Sequence, residues 1–211
     1  VVDFKPEGAG SSQVFKVENE NKEHVAVKVE AFIRQIDRNG VETRIPTDHF
    51  KIFPSQLSLK GKDSRSVRIT YQGPKHLTGE VAYRIVASQL PVDFEKKIKQ
   101  SGVQFIFRFL ASVYVTTDAF IPQLQVESVK KIDNKNTQVV LTNIGQKHRQ
   151  LKGVKVILKD KTGKSLSLNE AVIKNWNAEN ILAGETREYI FSNNQLDYQK
   201  NGSAIEIKDE L

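Results

Sequence analysis

Four histidines, His24, His49, His76 and His148, are the residues of this sequence best suited to hold a metal or shuttle a proton, and their spacing argues against both roles. Metal sites built on histidine use close pairs, such as two on one helical face. The two nearest here stand at positions 24 and 49. His24, His76 and His148 lie in turn-like polar contexts and read as surface residues. There is no cysteine, which removes thiolate nucleophiles, thiolate ligands and disulfides together. No Gly-x-Ser-x-Gly elbow presents a serine nucleophile, and neither glycine-rich phosphate cradle occurs. The adjacent acids Asp209 and Glu210 have nothing around them in sequence to desolvate a general acid. The chain reads as a non-enzymatic protein with no metal and no cofactor.

The chemistry that remains is apolar binding, and it is concentrated in Val103-Gln104-Phe105-Ile106-Phe107-Arg108-Phe109-Leu110. In a strand, side chains alternate, so Val103, Phe105, Phe107 and Phe109 share one face while Gln104, Ile106, Arg108 and Leu110 share the other. One reading makes the phenylalanine column half of an ordinary sandwich core. Yet Ile106 and Leu110 make the second face apolar too, and burying both faces in one small sandwich demands a further covering surface. Three phenylalanines at about 150–250 Å² each and about 25 cal/mol/Å² offer roughly 11–19 kcal/mol as an upper bound. Association costs about 4–15 kcal/mol, so such a column can hold a partner. The expectation is a strand at a sheet edge with part of this face reachable.

The elements that must position that column are strands. With 211 residues, 38% hydrophobic and 27% charged, the composition is that of a globular chain long enough for two sandwich domains. Strand-like runs fall at 1–5, 13–18, 24–35, 50–53, 56–60, 66–71, 81–89 and 103–116, with turns at Asp37-Arg38-Asn39-Gly40 and Lys60-Gly61-Lys62-Asp63. Residues 92–100 read as a loop between two neighbouring strands. Pro122 interrupts the backbone after Thr116. A second set of strands follows at 123–132, 137–143, 151–159, 170–172, 188–191 and 204–207. The expected fold is all-β, two β-sandwich domains in series, residues 1–118 and a smaller 119–211. The net charge of +7 is scattered over loops without stacking aromatics, so nucleic acid is not an expected partner. No apolar run reaches the roughly 18 residues of a membrane span.

Particular residues carry a resemblance. Phe53-Pro54-Ser55-Gln56-Leu57-Ser58-Leu59-Lys60-Gly61, followed by Ser66-Val67-Arg68-Ile69, resembles the PapD-like family of periplasmic pilus-assembly chaperones. Gly79-Glu80-Val81-Ala82-Tyr83-Arg84-Ile85 and its closing Leu90-Pro91 look like that family's next strand. Val17-Glu18-Asn19-Glu20-Asn21, Leu141-Thr142-Asn143 and Leu182-Ala183-Gly184-Glu185-Thr186 add to the likeness. The resemblance implies two immunoglobulin-like domains and a periplasmic chaperone that binds and caps pilus or fimbrial subunits by donor-strand complementation. Val103, Phe105, Phe107 and Phe109 would fill the subunit's groove. An outer-membrane usher and a self-capping dimer are implied as further partners.

The sequence departs from the family in one respect. The resemblance implies an arginine on the first strand and a lysine on the last strand of domain one, anchoring the subunit's terminal carboxylate. Val1 and Tyr114 occupy those positions, leaving Lys5, Arg108 and the Tyr114 hydroxyl as candidate anchors. The alternative function is a PapD-like structural or interaction module of a surface-assembly system without carboxylate anchoring. The chain opens at Val1 on strand-like sequence, as a chain does once a secretory leader is removed. Its last four residues match the endoplasmic-reticulum retention signal, a match at odds with the bacterial resemblance.

Overall fold

Alternation of apolar and polar residues decides the secondary structure here, and no helical period competes with it. The computed structural model describes residues 1–91, 106–152, 154–159, 165–167, 180–192 and 204–209. Among them every regular element is a strand except one 3-10 turn, Ala9–Ser11. The chain forms two compact units: Val1–Gln35, Arg44–Leu77 and Val81–Thr117 make the first, and Ile36–Thr43, Thr78–Glu80 and Asp118–Leu211 the second. Among the described residues no helix is long and apolar enough to cross a membrane.

The first unit is built from β1 (Val2–Phe4), β2 (Ser12–Glu18), β3 (Val25–Ile36), β4 (Glu42–Pro46), β5 (Phe50–Phe53), β6 (Gln56–Leu59), β7 (Ser64–Tyr71), β8 (Val81–Leu90) and β9 (Arg108–Val115). One sheet runs β1-β9-β8-β3-β4 with β6 also paired to β3, and the other runs β2-β7-β5. Period-two burial supplies the core: Leu59, Val67, Ile69, Tyr83, Val113 and Val115 come from both sheets and are all essentially buried. Phe50 lies edge-on to Phe4, Tyr71 and Tyr83 at centroid distances of 5.4, 5.3 and 4.9 Å, a favourable aromatic geometry. The Tyr83 hydroxyl is 2.9 Å from His49 Nδ1. Burial pushes the Tyr83 phenol well above its usual range, with Tyr71 adding to the effect.

The second unit contains β10 (Leu124–Lys131), β11 (Asn136–Asn143) and β16 (Thr186–Ser192) in the order β10-β11-β16. A second sheet of β13 (Val154–Lys159), β14 (Ser165–Ser167) and β17 (Ala204–Asp209) runs β14-β13-β17, and β12 (Arg149–Gln150) pairs with β15 (Asn180–Ile181). Val139, Leu141, Leu151, Ile181 and Phe191 are buried.

One device occurs in both units. Asn19, at the end of β2, donates through Nδ2 to the carbonyls of Glu23 (2.7 Å), Lys60 (3.0 Å) and Leu59 (3.3 Å), and its Oδ1 accepts from the Asn21 amide. Asn143, at the end of β11, donates to the carbonyls of Lys147 (2.7 Å) and Ile181 (3.1 Å), and its Oδ1 accepts from the Gly145 amide. The turn each asparagine grips contains a left-handed residue, Lys62 at φ 63° and Gly184 at φ 73°. A side chain at Gly61 in the first of these turns would press its Cβ to 2.1 Å from the Lys22 carbonyl oxygen, so only glycine fits.

The structure differs from the sequence reading in several places. β4 was not expected: Glu42-Thr43-Arg44-Ile45-Pro46 has no apolar alternation, is mostly exposed, and is a strand because β3 offers it an edge. His148 is no surface residue. Its Nδ1 lies 2.6 Å from Glu80 Oε1, and the two side chains are 11% and 1% exposed. A carboxylate 68 positions away in sequence supplies the partner that a local reading cannot find. The expected strand over 103–116 is observed from Arg108 to Val115, with Ile106 and Phe107 outside it. Val103, Phe105, the 92–100 loop and the 170–172 strand lie outside the described residues.

Candidate functional site

β9 has two neighbours of unequal length. β8 accompanies it throughout, from Ser88↔Arg108 to Val81↔Val115. β1 runs parallel on the other side only over Val2↔Val113, Asp3↔Tyr114 and Phe4↔Val115. From Arg108 to Ser112 that outer edge therefore has no strand beside it among the described residues. The ladder to β8 is extended one residue further by the Gln89 amide donating to the Phe107 carbonyl at 2.9 Å. An edge of unpaired backbone groups is a template for another strand.

Side chains along this edge are as apolar as its backbone is open. Phe107 is 52% and Phe109 70% exposed, and Ile106 and Leu110 on the opposite face are also exposed. Phe107 and Phe109 line a cleft of about 440 Å³ together with Val17, Val25, Val27, Leu59 and Gln89. Alternation explains the arrangement: Phe109, Val113 and Val115 point the same way, yet only the last two are covered by the first unit's core. The sequence reading missed the far wall of the cleft. Its signal was the alternation of Val17 on β2 and of Val25 and Val27 on β3, which reads equally well as core.

The candidate anchors are dispersed. Arg108 and Tyr114 share a face of β9 but stand six residues apart, about 20 Å at about 3.3 Å per residue, too far to grip one carboxylate. Arg108 is exposed, with no hydrogen bond or ion pair to another described residue. Tyr114 is 1% exposed, and its hydroxyl accepts from Arg34 Nη1 at 3.3 Å. Lys5 follows β1, its amide donating to the Gly10 carbonyl at 3.0 Å. Val1 is exposed. Arg34, on the outward face of β3, was not singled out from sequence. Among the described residues no three histidines, aspartates or glutamates gather as a metal site.

An apolar strand edge without a neighbouring strand among the described residues, on an immunoglobulin-like sandwich, is the arrangement that recognition by strand addition uses, a class of binding that works by association. Residues 6–115 match the family model of pili and flagellar-assembly chaperones, PapD N-terminal domain. The chain belongs to this chaperone family, whose members are binding proteins and not enzymes. Solved structures show the same two-domain fold. The class 5 fimbriae chaperone CfaA matches with a TM-score of 0.60 and 15% identity over 99% of this chain and 96% of its own. A structure described as a chaperone–tip adhesin complex in CFA/I fimbriae biogenesis matches with a TM-score of 0.60 and 18% identity over 98% and 94%. The CsuC–CsuE chaperone–tip adhesion subunit complex of Acinetobacter baumannii matches with a TM-score of 0.57 and 14% identity over 89% and 85%. No curated protein matches the sequence.

Proposed function

We propose that this protein is a periplasmic chaperone that caps pilus or fimbrial subunits by lending them the free edge of β9. The observation that carries this reading is the outer edge of β9 from Arg108 to Ser112, which has no strand beside it among the described residues and is flanked by the exposed rings of Phe107 and Phe109. A subunit lacking a strand has the complementary defect, an open groove with unpaired backbone groups, and one strand satisfies both partners. Phe107 and Phe109 are groove-filling residues, and Val103 and Phe105, which continue the same alternation in the sequence, complete the set. Arg108, exposed on the opposite face, is the cation placed to meet a client carboxylate, whereas the Tyr114 hydroxyl is already engaged by Arg34. Two of the solved structures with this fold are complexes with a tip adhesin or tip adhesion subunit, which supports the same class of client here. An usher that receives the loaded chaperone, and a dimer that covers the edge when no client is present, complete the proposal.

The test is recovery of the tagged protein from periplasm, with its co-purifying partner identified by mass spectrometry. A subunit protein with an incomplete sandwich, recovered by the parent chain and lost with Phe109→Glu, is the expected result. Recovery of the same partner by both proteins would sink the reading. Sedimentation of the client-free protein tests the dimer: Phe109→Glu should shift it to monomer.

A further inference from the structure

The outward face of the β2-β7-β5 sheet carries a second feature, remote in the pairing order from β9. Register places Val14, Arg68 and Phe53 in one row across its three strands: Val14 pairs with Arg68, and Arg68 with Phe53. Residues directly opposite in adjacent strands project to the same face about 5 Å apart. Val14 is 55% and Phe53 72% exposed, so a cation stands between two uncovered apolar side chains. Lys51 follows one pleat along on the same face, beside Thr70. Neither Arg68 nor Lys51 has a hydrogen bond or ion pair with any described residue. Their neighbours differ in this: Lys16 on the same face is paired with Glu18, and Arg65 is 3.3 Å from Asp63. Glu18, on the same face of β2, is thereby already engaged.

We infer that this face is a docking surface for an acidic peptide segment with an apolar anchor, presented by a protein partner. Two unpaired cations within one pleat supply electrostatic complementarity and on-rate. The flanking valine and phenylalanine supply the apolar area that charge alone does not. Arginine adds bidentate geometry toward a carboxylate, which lysine lacks. A peptide is favoured over an anionic membrane because binding to lipid headgroups at about 1 kcal/mol per basic residue needs a cluster of about four or more, and Arg68 and Lys51 make two. This surface is distinct from the strand-lending edge, and its inference does not depend on that reading.

The experiment is fluorescence anisotropy with a labelled synthetic decapeptide alternating glutamate and leucine, and a second in which lysine replaces glutamate. The folded full-length protein should bind the acidic peptide, with affinity falling as salt rises, and ignore the basic one. Arg68→Glu should weaken binding at least tenfold, Phe53→Ser several-fold, and Phe109→Glu not at all. Lys51→Glu provides a second charge reversal, read in the same way if Arg68→Glu does not fold. Equal binding of both peptides, no binding of the acidic one, or insensitivity to the charge reversals would overturn the inference. So would binding to phosphatidylglycerol vesicles that is stronger than peptide binding and equally sensitive to Arg68→Glu.

Discussion

At the level of single residues, exposure separates side chains that fold the protein from those that serve a partner. Phe109 is among the most exposed large apolar residues and Tyr83 among the least, though both belong to one sheet. In the monomer, Phe109→Glu should therefore change unfolding free energy by no more than about 0.5 kcal/mol, since surface changes away from special features cost little. The same charge placed in a client's apolar groove is heavily penalised, so client binding should be abolished. Urea titration alongside a pull-down checks both halves. Tyr83 and Tyr71 give the converse case. Burial raises both phenols above their ordinary value of 10.0, so the folded protein holds them neutral where the unfolded chain ionises. Their stabilising contribution is full below about pH 10 and declines as pH rises beyond it. The urea midpoint should be flat up to about pH 9 and fall above about pH 10, with a shallower fall in Tyr83→Phe. An equal slope in that variant would assign the loss to lysines instead.

At the level of elements, the two units repeat a turn rather than a sequence. Asn19 and Asn143 are buried, and each ties the end of its strand to the carbonyl four residues on and to a neighbouring turn. Removing the amide takes a donor from two or three turn carbonyls, of which Lys60 keeps the Asp63 amide, at about 1–3 kcal/mol for each buried group left unsatisfied. Asn19→Ala and Asn143→Ala should each lower stability by at least about 2 kcal/mol, and Asn19→Asp should not restore it, because an ionised carboxylate donates nothing. Chemical denaturation of the three variants checks this; recovery by Asn19→Asp would show that shape alone matters. The sequence reading recorded both asparagines without seeing their role, since their partners Leu59 and Ile181 lie about 40 residues away. Strands with apolar alternation, such as β5 and β7, were legible because period two survives in sequence. β4 was not, because its strand character belongs to the neighbour it pairs with. The column at Phe107 and Phe109 was legible as apolar, but its openness depends on how far β1 accompanies β9, a length that no local pattern encodes.

At the level of the whole molecule, each unit has its own buried core, and the β9 edge without a neighbouring strand among the described residues belongs to the first. A ligand that binds only the folded form stabilises it by about 2.7 kcal/mol at a hundred times its Kd. For a domain of this size that corresponds to a rise on the order of 10 °C in Tm. Calorimetry of the client-free protein should resolve two transitions, because two separate cores need not melt together. Adding an incomplete subunit should raise the transition of the unit that supplies β9 and leave the other in place. Phe109→Glu should remove the shift and, at concentrations where the client-free protein is monomeric, leave the client-free transitions in place, since the residue is exposed in the single chain. An equal rise of both transitions would place the client on both units. A shift that survives Phe109→Glu would place it away from the β9 edge, and the open backbone between Arg108 and Ser112 would then need another explanation.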